Sequence, residues 1–285
     1  MRTYLALLRP THWIKNFLVF VPVFFAGQII DLVTEPAITL TFAAFCLASS
    51  IVYIFNDLHD IAEDRKHPVN QLRPIAAGDI SRNKAVIIIL ALSVLLFVCL
   101  LKTKLWLPVI LYIVLNIAYT LILKHFAIID ISIISLGFVL RIIAGAMAAD
   151  VFLTNWLILI TFMLALSIAL GKRRSELMIN QSYQIPVRRS LSGYNLEFVN
   201  MSLIILAAST LMIYLIYCMS AEVAARLGSN KIYLTAFPVI LGFIRFLQII
   251  IVQHDLRSPT EILLHDRFIQ IILLLWIGLF YFLIY

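Results

Sequence analysis

Three aspartates in one short segment are the residues of this chain best placed to do chemistry. Asp57, Asp60 and Asp64 stand at i, i+3 and i+7, so a helix running through the segment would carry all three on one stripe. Carboxylates that close repel one another unless a cation lies between them. Mg²⁺ meets that need, because it binds one or two carboxylates together with the phosphate oxygens of a substrate. The segment therefore predicts metal-assisted phosphate chemistry, with Asn56 as a further oxygen ligand.

A plainer interpretation of this segment is a solvated helix end, whose acids pair with Arg65 and Lys66. Arg73 lies further along, in the sequence Leu-Arg-Pro-Ile-Ala-Ala-Gly, where Pro74 restricts the backbone on both sides. A guanidinium matches phosphate oxygens two at a time, so an Arg73 held in this way favours a phosphate site. The alternative is a simple turn into the next helix.

Further polar residues interrupt the apolar sequence. Arg141 lies within an apolar run and needs either a partner or a water-filled cavity, so it is either a ligand contact or an ion-pair partner of Asp130. Lys172 and Arg173 belong to the sequence Gly-Lys-Arg-Arg-Ser-Glu-Leu, which is either a topological anchor or the basic wall of a site. The other polar residues that we single out as candidates for the same site are Lys15, Asn16, Tyr119 and Lys124.

The elements that position these residues must be membrane helices. Hydrophobic residues make up 63% of the 285-residue chain and the mean hydropathy is +1.03, which excludes a soluble globule. Eight further apolar runs follow the first, which favours a retained first helix over a signal peptide. We expect an all-α integral membrane protein, a single domain over residues 1–285, with about nine transmembrane helices bundled around a cytoplasm-facing polar cavity. The predicted spans are residues 14–30, 37–55, 85–101, 106–123, 127–149, 153–170, 197–219, 232–252 and 268–285.

The orientation follows from the loops. Lys and Arg outside the spans fall mostly on the side of the N-terminus, which the positive-inside rule assigns to the cytoplasm. The long polar loops, 56–84, 171–196 and 253–267, lie on that same side. We therefore expect a multi-pass protein of the inner (cell) membrane, with its N-terminus and active site in the cytoplasm. The net charge of +7 suits anionic lipid or a phosphorylated ligand, and no nucleic-acid partner is expected.

Taken together, these features resemble the UbiA superfamily of intramembrane prenyltransferases over nearly the whole chain. The resemblance is carried by the motif NDxxDxxxD, here Asn56, Asp57, Asp60 and Asp64, and by the RPIAAG sequence that follows it. Aromatic prenyltransferases of the superfamily have a second aspartate-rich motif, and this chain has GKRRSEL instead. The sequences LRPTHWIKN, YxxxLK, FxxRxxAG and GKRxxEL, with Arg245 and the PTEILLHDR segment, are similar to the prenyl-phosphate phosphoribosyltransferase branch.

The resemblance implies an Mg²⁺-dependent enzyme. It would transfer a 5-phosphoribosyl group from phosphoribosyl pyrophosphate to a polyprenyl phosphate such as decaprenyl phosphate, and would release pyrophosphate. The implied metal ligands are Asn56, Asp57, Asp60 and Asp64. The implied substrate-binding residues are Lys15, Asn16, Arg73, Tyr119, Lys124, Arg141, Lys172 and Arg173. The residues implied in catalysis are Asp57, Asp60, Arg73 and Lys172.

Other functions stay open at this point. An aromatic polyprenyltransferase of the 4-hydroxybenzoate type shares the first motif and the fold, and the missing second motif disfavours it. A secondary transporter would show matched pairs of broken hydrophobic segments, and none is visible. The intact acidic motif disfavours a non-catalytic scaffold. A homo-oligomer is compatible with these residues, and the length of the prenyl chain is not encoded in a recognisable way.

Overall fold

The computed structural model describes residues 2–28, 35–66, 70–103, 105–183, 189–253, 255, 257 and 259–284, and these residues form helices joined by turns and short loops. No strand occurs among these residues, and the prediction of an all-α protein is confirmed. The α-helices, in chain order, are α1 (Arg2–Leu8), α2 (Val21–Phe25), α3 (Pro36–His59), α4 (Ile61–Asp64), α5 (Arg82–Thr103), α6 (Trp106–Leu121), α7 (Ile129–Ala149), α8 (Asn155–Tyr183), α9 (Leu196–Met219), α10 (Ala221–Leu227), α11 (Ala236–Leu247), α12 (Pro259–His265) and α13 (Arg267–Ile284).

Eight of the nine predicted spans have a helical counterpart in the described ranges. Seven helical stretches are long and apolar enough to cross a membrane. The helix α6 is apolar but shorter. The seven stretches are Pro36–His59, Arg82–Thr103, Ile129–Ala149, Asn155–Asn180, Leu196–Met219, Ile232–Val252 and Arg267–Ile284. The chain is therefore an integral, multi-pass membrane protein.

The first predicted span, residues 14–30, differs from a regular helix. Its described part is an eleven-residue 3₁₀ helix, Pro10–Phe20, followed by α2, while residues 29 and 30 lie outside the described part. Runs of 3₁₀ helix longer than three or four residues are uncommon and often mark a functional segment. Pro22, which has no N–H to donate, stands where the helix type changes. The count of nine spans is not confirmed.

The chain divides into two compact units. Unit 1 comprises Met1–Lys124 and Gly137–Leu153, and unit 2 comprises His125–Leu136 and Thr154–Tyr285. The helix α7 contributes its first turns to unit 2 and the rest to unit 1. The single domain expected from the sequence stays a prediction.

In unit 1, α3 packs against α5, α6 and the 3₁₀ helix Pro10–Phe20. Its main core contains Phe45, Tyr112 and Ala144 among other buried apolar residues. The helix α7 approaches the 3₁₀ helix so closely that a Cβ on Gly145 would lie 1.9 Å from the backbone oxygen of Val19. Only glycine allows this approach, which brings the polar residues of the two segments together.

A smaller apolar cluster of unit 1 lies beside the acidic segment, and Ile54, Ile61 and Ile75 belong to it. Ile75 anchors the turn that follows Arg73, in which the Ala77 N–H donates to the Arg73 carbonyl oxygen at 2.8 Å. The turn ends at Gly78, whose φ of +91° is favourable for glycine alone. This apolar anchoring fixes the backbone from which Arg73 projects.

In unit 2, α8 packs along α9, and α11 packs along α13. The residue preceding α9, Asn195, caps it by accepting the N–H of Phe198 at 2.7 Å. The helix α11 continues into a π-helical turn, Gln248–Val252, whose Ile249 and Ile250 side chains are buried in the core of this unit. Turns of this kind are rare and recur at functional sites.

Candidate active site

The acidic segment of unit 1 is buried. Asp57, Asp60 and Asp64 are only 1%, 8% and 4% exposed. The helical stripe expected for them is interrupted, because α3 ends at His59 and α4 begins only after Asp60. The interpretation of a solvated helix end is wrong, since the carboxylates are buried and the Arg65 Nε donates to the Ala76 carbonyl oxygen at 3.1 Å.

Arg73 joins two of the carboxylates. Its Nη1 lies 2.6 Å from Asp64 Oδ2 and 3.3 Å from Asp57 Oδ1. The guanidinium therefore occupies the position between two acids where repulsion must be relieved. The sequence predicted that Arg73 binds phosphate, and in the structure its side chain contacts carboxylates, so the phosphate contact stays a prediction.

Arg9 completes the pairing of Asp57 and was not among the predicted site residues. Its Nη2 lies 2.6 Å from Asp57 Oδ1, and its guanidinium stands 5.1 Å from the centre of the Tyr53 ring. Arg9 precedes the 3₁₀ helix with a φ of +51°, an uncommon value for a residue other than glycine. A signal was present in the sequence, because Leu-Arg-Pro occurs both at residues 8–10 and at residues 72–74.

Asp60 has a different set of partners. Its Oδ1 accepts from Lys124 Nζ at 2.5 Å and lies 2.8 Å from His59 Nδ1. Burial raises the pKa of Asp60, but these bonds outweigh it and leave the pKa of the carboxyl below its usual value. The nearby Asn56 Oδ1 accepts from Thr120 Oγ1 at 3.3 Å. Lys124, which the sequence predicted to bind substrate, thus forms a direct ion pair with a carboxylate of the acidic motif.

The donor set fits a magnesium ion at Asp57. The Asp57 Oδ2 atom is buried and has no hydrogen-bond partner, and an unpaired carboxylate oxygen in this position is costly. Among the described residues, no group of three or more His, Cys, Asp or Glu side chains converges on one point. Mg²⁺ commonly uses only one or two carboxylates, with waters and substrate phosphates as its other ligands. Asp57 and Asp64, which both contact Arg73, can supply these two carboxylates.

Arg141 and Asn16 form a second buried polar cluster in unit 1. The Arg141 Nε donates to Asn16 Oδ1 at 2.8 Å, its Nη1 to the Gly137 carbonyl oxygen at 2.6 Å, and its Nη2 to the Tyr112 hydroxyl at 3.2 Å. The ion pair with Asp130 offered by the sequence is wrong, because these partners are all neutral. A buried guanidinium without a carboxylate keeps its attraction for an anion.

In unit 2, the side chains of the basic run within α8 mostly contact other residues of the protein. Arg173 Nε lies 2.8 Å from Asp130 Oδ2, which is fully buried, and its Nη1 contacts Glu176. Asp130 also accepts from the Tyr194 hydroxyl at 2.7 Å. Burial, together with that hydrogen bond, raises the pKa of Tyr194 and keeps its hydroxyl neutral. A phosphate contact by Arg173 would therefore require a buried ion pair to open.

Arg174 and Lys172 differ from Arg173 in their partners and in their exposure. Arg174 is buried, and it donates to Asn200 Oδ1 at 2.8 Å and to the Ile250 carbonyl oxygen at 2.6 Å, within the π-helical turn. Lys172 is exposed. Of the two cations predicted here to bind substrate, Lys172 is thus the more accessible.

The last two predicted substrate-binding residues, Lys15 and Tyr119, belong to unit 1 and are half-buried. Lys15 lies on the 3₁₀ helix next to Asn16, and Tyr119 lies in the last turn of α6, next to Thr120. Unit 1 therefore collects carboxylates, guanidiniums and an ammonium at the end of membrane helices. That arrangement is suited to binding a polyanion together with a metal ion.

Comparison with known proteins shows the family of the chain and several relatives. The model of a family described as the UbiA prenyltransferase family matches residues 17–270. The chain is 33% identical to the decaprenyl-phosphate phosphoribosyltransferase of Mycolicibacterium smegmatis, over 95% of this chain and 88% of that protein. It is 29% identical to the protein of the same name from Corynebacterium glutamicum, over 95% of this chain and 83% of that protein. A solved structure of a UbiA homolog from Archaeoglobus fulgidus, bound to DMAPP and Mg²⁺, has a TM-score of 0.73 at 22% identity and covers 99% of both chains.

Proposed function

Because the chain belongs to the UbiA prenyltransferase family, we propose that it transfers the 5-phosphoribosyl group of phosphoribosyl pyrophosphate to a polyprenyl phosphate, with release of pyrophosphate. The relatives named as decaprenyl-phosphate phosphoribosyltransferases match nearly the full length of the chain, which supports this assignment. GKRRSEL, in place of a second aspartate-rich motif, supports it further.

The observation that carries the proposal is the charge arrangement of unit 1. Asp57, Asp60 and Asp64 are paired with Arg9, Arg73 and Lys124, so the acidic and basic charges match. When a phosphorylated sugar and a metal ion enter together, each cation can exchange its carboxylate for a phosphate and the metal ion can take over the carboxylates, so every ionic group keeps a partner. Buried ionic groups that find new partners in this way avoid the cost of a lone buried charge.

The reaction needs little proton chemistry. An oxygen of the acceptor phosphate forms a bond to the anomeric carbon of the ribose, while the bond from that carbon to pyrophosphate breaks. Its electron pair leaves with pyrophosphate. The acceptor is already an anion, so a general base is not required. Arg9, Arg73 and Lys124 would stabilise the charge that develops on the leaving group.

Asp57 and Asp64 would hold Mg²⁺ in this arrangement, with Asn56 as a neutral ligand. Asp60 would join them if its pair with Lys124 opened. The bound ion would neutralise the pyrophosphate and orient it. Arg141, with Asn16 and Lys15, would bind another phosphate of the substrates, and Lys172 and Tyr119 complete the proposed set.

The membrane setting follows from the two substrates. One is a water-soluble polyanion, and the other is an isoprenoid dissolved in lipid, so the site must lie where both can reach it. We place the N-terminus and the acidic segment on the cytoplasmic side of the inner membrane, because Lys and Arg are concentrated on that side of the spans.

Incubation of the purified protein with two substrate pairs tests the proposal. One reaction contains phosphoribosyl pyrophosphate, Mg²⁺ and a polyprenyl phosphate, and the other contains a polyprenyl diphosphate, Mg²⁺ and 4-hydroxybenzoate. We expect a lipid product from the first pair only. Product from the second pair alone would mean that the chain is an aromatic prenyltransferase.

A further inference from the structure

Arg9, which contacts Asp57 in the acidic site, has a strained backbone. Its φ of +51° and ψ of +56° lie in the left-handed helical region, where residues other than glycine are uncommon. Pro10 follows it, and a proline disfavours helical backbone angles in the residue before it. Strain of this kind persists only where the surrounding structure fixes it, and it recurs at functional sites. The residues that fix Arg9 are therefore candidates for a role in the reaction.

Ser50 of α3 fixes the backbone on both sides of Arg9. Its hydroxyl donates to the carbonyl oxygen of Leu8 at 2.9 Å and accepts the indole N–H of Trp13 at 3.1 Å. Ser50 is only 1% exposed, so loss of its hydroxyl would leave both partners short of a hydrogen bond in a buried place. One side chain of α3 thus holds the residue before Arg9 and a residue shortly after it.

The 3₁₀ helix that follows Arg9 is attached along the same helix. Side chains three residues apart are eclipsed in a 3₁₀ helix, so Trp13 and Asn16 lie in one line. The Asn16 amide donates to Cys46 Sγ at 3.3 Å and to Ser49 Oγ at 3.4 Å, one turn away from Ser50 on α3. In an α-helix, with 3.6 residues per turn, these two side chains would diverge by about 60°. The 3₁₀ form therefore allows both attachments at once.

Tyr53 fixes the guanidinium of Arg9. The Arg9 Cζ stands 5.1 Å from the centre of the Tyr53 ring, which is within the range of a cation–π contact. Tyr53 lies four residues before Asp57 on α3, so the ring and the carboxylate share one side of that helix. The Tyr53 hydroxyl lies 3.3 Å from Nδ1 of His12, and this contact orients the ring. The guanidinium is thus held by an aromatic ring and a carboxylate together.

The position of Arg9 decides how Asp57 is used. Arg9 Nη2 and Arg73 Nη1 both contact Oδ1 of this carboxylate, at 2.6 Å and 3.3 Å. The other oxygen, Oδ2, is buried without a hydrogen-bond partner. A guanidinium that is free to turn favours both oxygens of a carboxylate, as two parallel hydrogen bonds. A released Arg9 would therefore cover Oδ2 as well.

From these contacts we infer that Tyr53 and Ser50 are positioning residues of the proposed reaction, which keep Arg9 on one oxygen of Asp57 and leave the other oxygen to a metal ion. The inference rests on the proposed function for the substrates and for the metal. Without the aromatic ring or the buried hydroxyl, Arg9 would compete with the metal ion for Asp57. It would also be less available to the charge that develops on the leaving group.

Binding of Mn²⁺ alone, measured by electron paramagnetic resonance on the purified protein, tests the inference without turnover. Tyr53→Leu should weaken this binding about fivefold or more, whereas Tyr53→Phe keeps the ring and should bind nearly as the unchanged protein does. Arg9→Gln should tighten the binding, because it removes a competing cation. In the Arg9→Gln background, Tyr53→Leu should have no further effect. Tyr4→Leu, at an exposed tyrosine of α1, is the matched control and should change nothing.

Ser50→Ala tests the backbone contacts in the same way, and it serves alone if Tyr53→Leu does not fold. It should weaken Mn²⁺ binding and lower kcat/KM for phosphoribosyl pyrophosphate about tenfold, the effect of a misplaced charged group, while the KM for polyprenyl phosphate stays unchanged. Both effects should disappear in the Arg9→Gln background. Ser93→Ala is the control, because the Ser93 hydroxyl donates within its own helix, to the Ile89 carbonyl oxygen at 2.8 Å.

The results separate the inference from the proposed function. If Tyr53→Leu and Ser50→Ala bind Mn²⁺ as tightly as the unchanged protein, or weaken the binding equally when Arg9 is already replaced, the inference is overturned. The proposed function still stands in that case if the unchanged protein makes the phosphoribosyl lipid. If no such product forms but Mn²⁺ binding follows the expected pattern, the positioning role stands and the proposed function falls.

Discussion

Arg9 contacts Asp57 across 48 positions of the chain, with 2.6 Å between Nη2 and Oδ1. The contact places the N-terminal segment in the acidic site. A segment that served only as a membrane anchor would not need a carboxylate partner there. Asp57 keeps its second oxygen buried and unpartnered. One oxygen of the carboxylate is thus held by the guanidiniums of Arg9 and Arg73, and the other oxygen can bind a further cation.

Asp57→Asn should remove activity while the protein still folds. The amide keeps the shape of the side chain but removes the charge that balances Arg9 and binds the metal. We expect kcat/KM to fall about 10²–10³-fold, as when one group that stabilises transition-state charge is lost. Steady-state assays, with thermal unfolding as the check on folding, measure this. Glu63→Gln is the control, because Glu63 is an exposed acid of the same segment, and it should retain activity. Full activity in Asp57→Asn would contradict the metal assignment.

Arg73→Gln should change the binding of metal and of sugar phosphate in opposite directions. Arg73 competes with a metal ion for Asp57 and Asp64, so its removal should tighten the binding of Mn²⁺ alone, as measured by electron paramagnetic resonance. The same variant should bind phosphoribosyl pyrophosphate more weakly, because a phosphate contact is lost. Arg82→Gln makes the same charge change at the exposed start of α5 and should affect neither. Weaker Mn²⁺ binding in Arg73→Gln would show that Arg73 supports the metal site.

The sequence predicted the composition of the acidic site better than its contacts. Spacing placed Asp57 and Asp64 together, and a constrained turn indicated Arg73, because both signals are local in the chain. The partner of Asp130 was not predictable, since Arg173 reaches it through the packing of α8 in unit 2. Arg9 was missed for a similar reason.

The first membrane segment shows the same limit at the level of secondary structure. Hydropathy identified residues 14–30 as apolar, and it cannot distinguish an α-helix from a 3₁₀ helix. The close approach of Gly145 to Val19, which depends on α7, became visible only in three dimensions. Long periodic spans such as α3 and α9 were predictable because burial in lipid requires a continuous helix.

Gly145→Ala should destabilise unit 1. The new methyl group would lie 1.9 Å from the backbone oxygen of Val19, so α7 and the 3₁₀ helix must separate. We expect a loss of about 1–3 kcal/mol or more in the free energy of unfolding, the usual cost of overpacking. Thermal unfolding in detergent measures it. Gly278→Ala is the control, since its methyl group would meet no atom within 4 Å. An unchanged unfolding temperature in Gly145→Ala would contradict the described packing.

The pair between Arg245 and Asp266 should give stability with a defined pH dependence. The Arg245 hydrogen bond holds the pKa of Asp266 below its usual value, against the opposing effect of burial. A depressed pKa stabilises the fold above the unfolded-state value of about 3.9, and the effect is lost as the pH falls through the folded-state pKa. The difference in unfolding temperature between the unchanged protein and Arg245→Gln should therefore be constant from about pH 5 to 8 and vanish in stronger acid. A difference that grew with acidity would contradict the pairing.

The most direct measurement follows two labels in phosphoribosyl pyrophosphate. With purified protein, Mg²⁺ and polyprenyl phosphate, label in the 5-phosphate should enter the lipid extract, and label in the pyrophosphate should remain in water as free pyrophosphate, in equal amounts. The yield should fall to background in Asp57→Asn. If neither label enters the lipid while a polyprenyl diphosphate is joined to 4-hydroxybenzoate by the same preparation, phosphoribosyl transfer is not the activity of this protein.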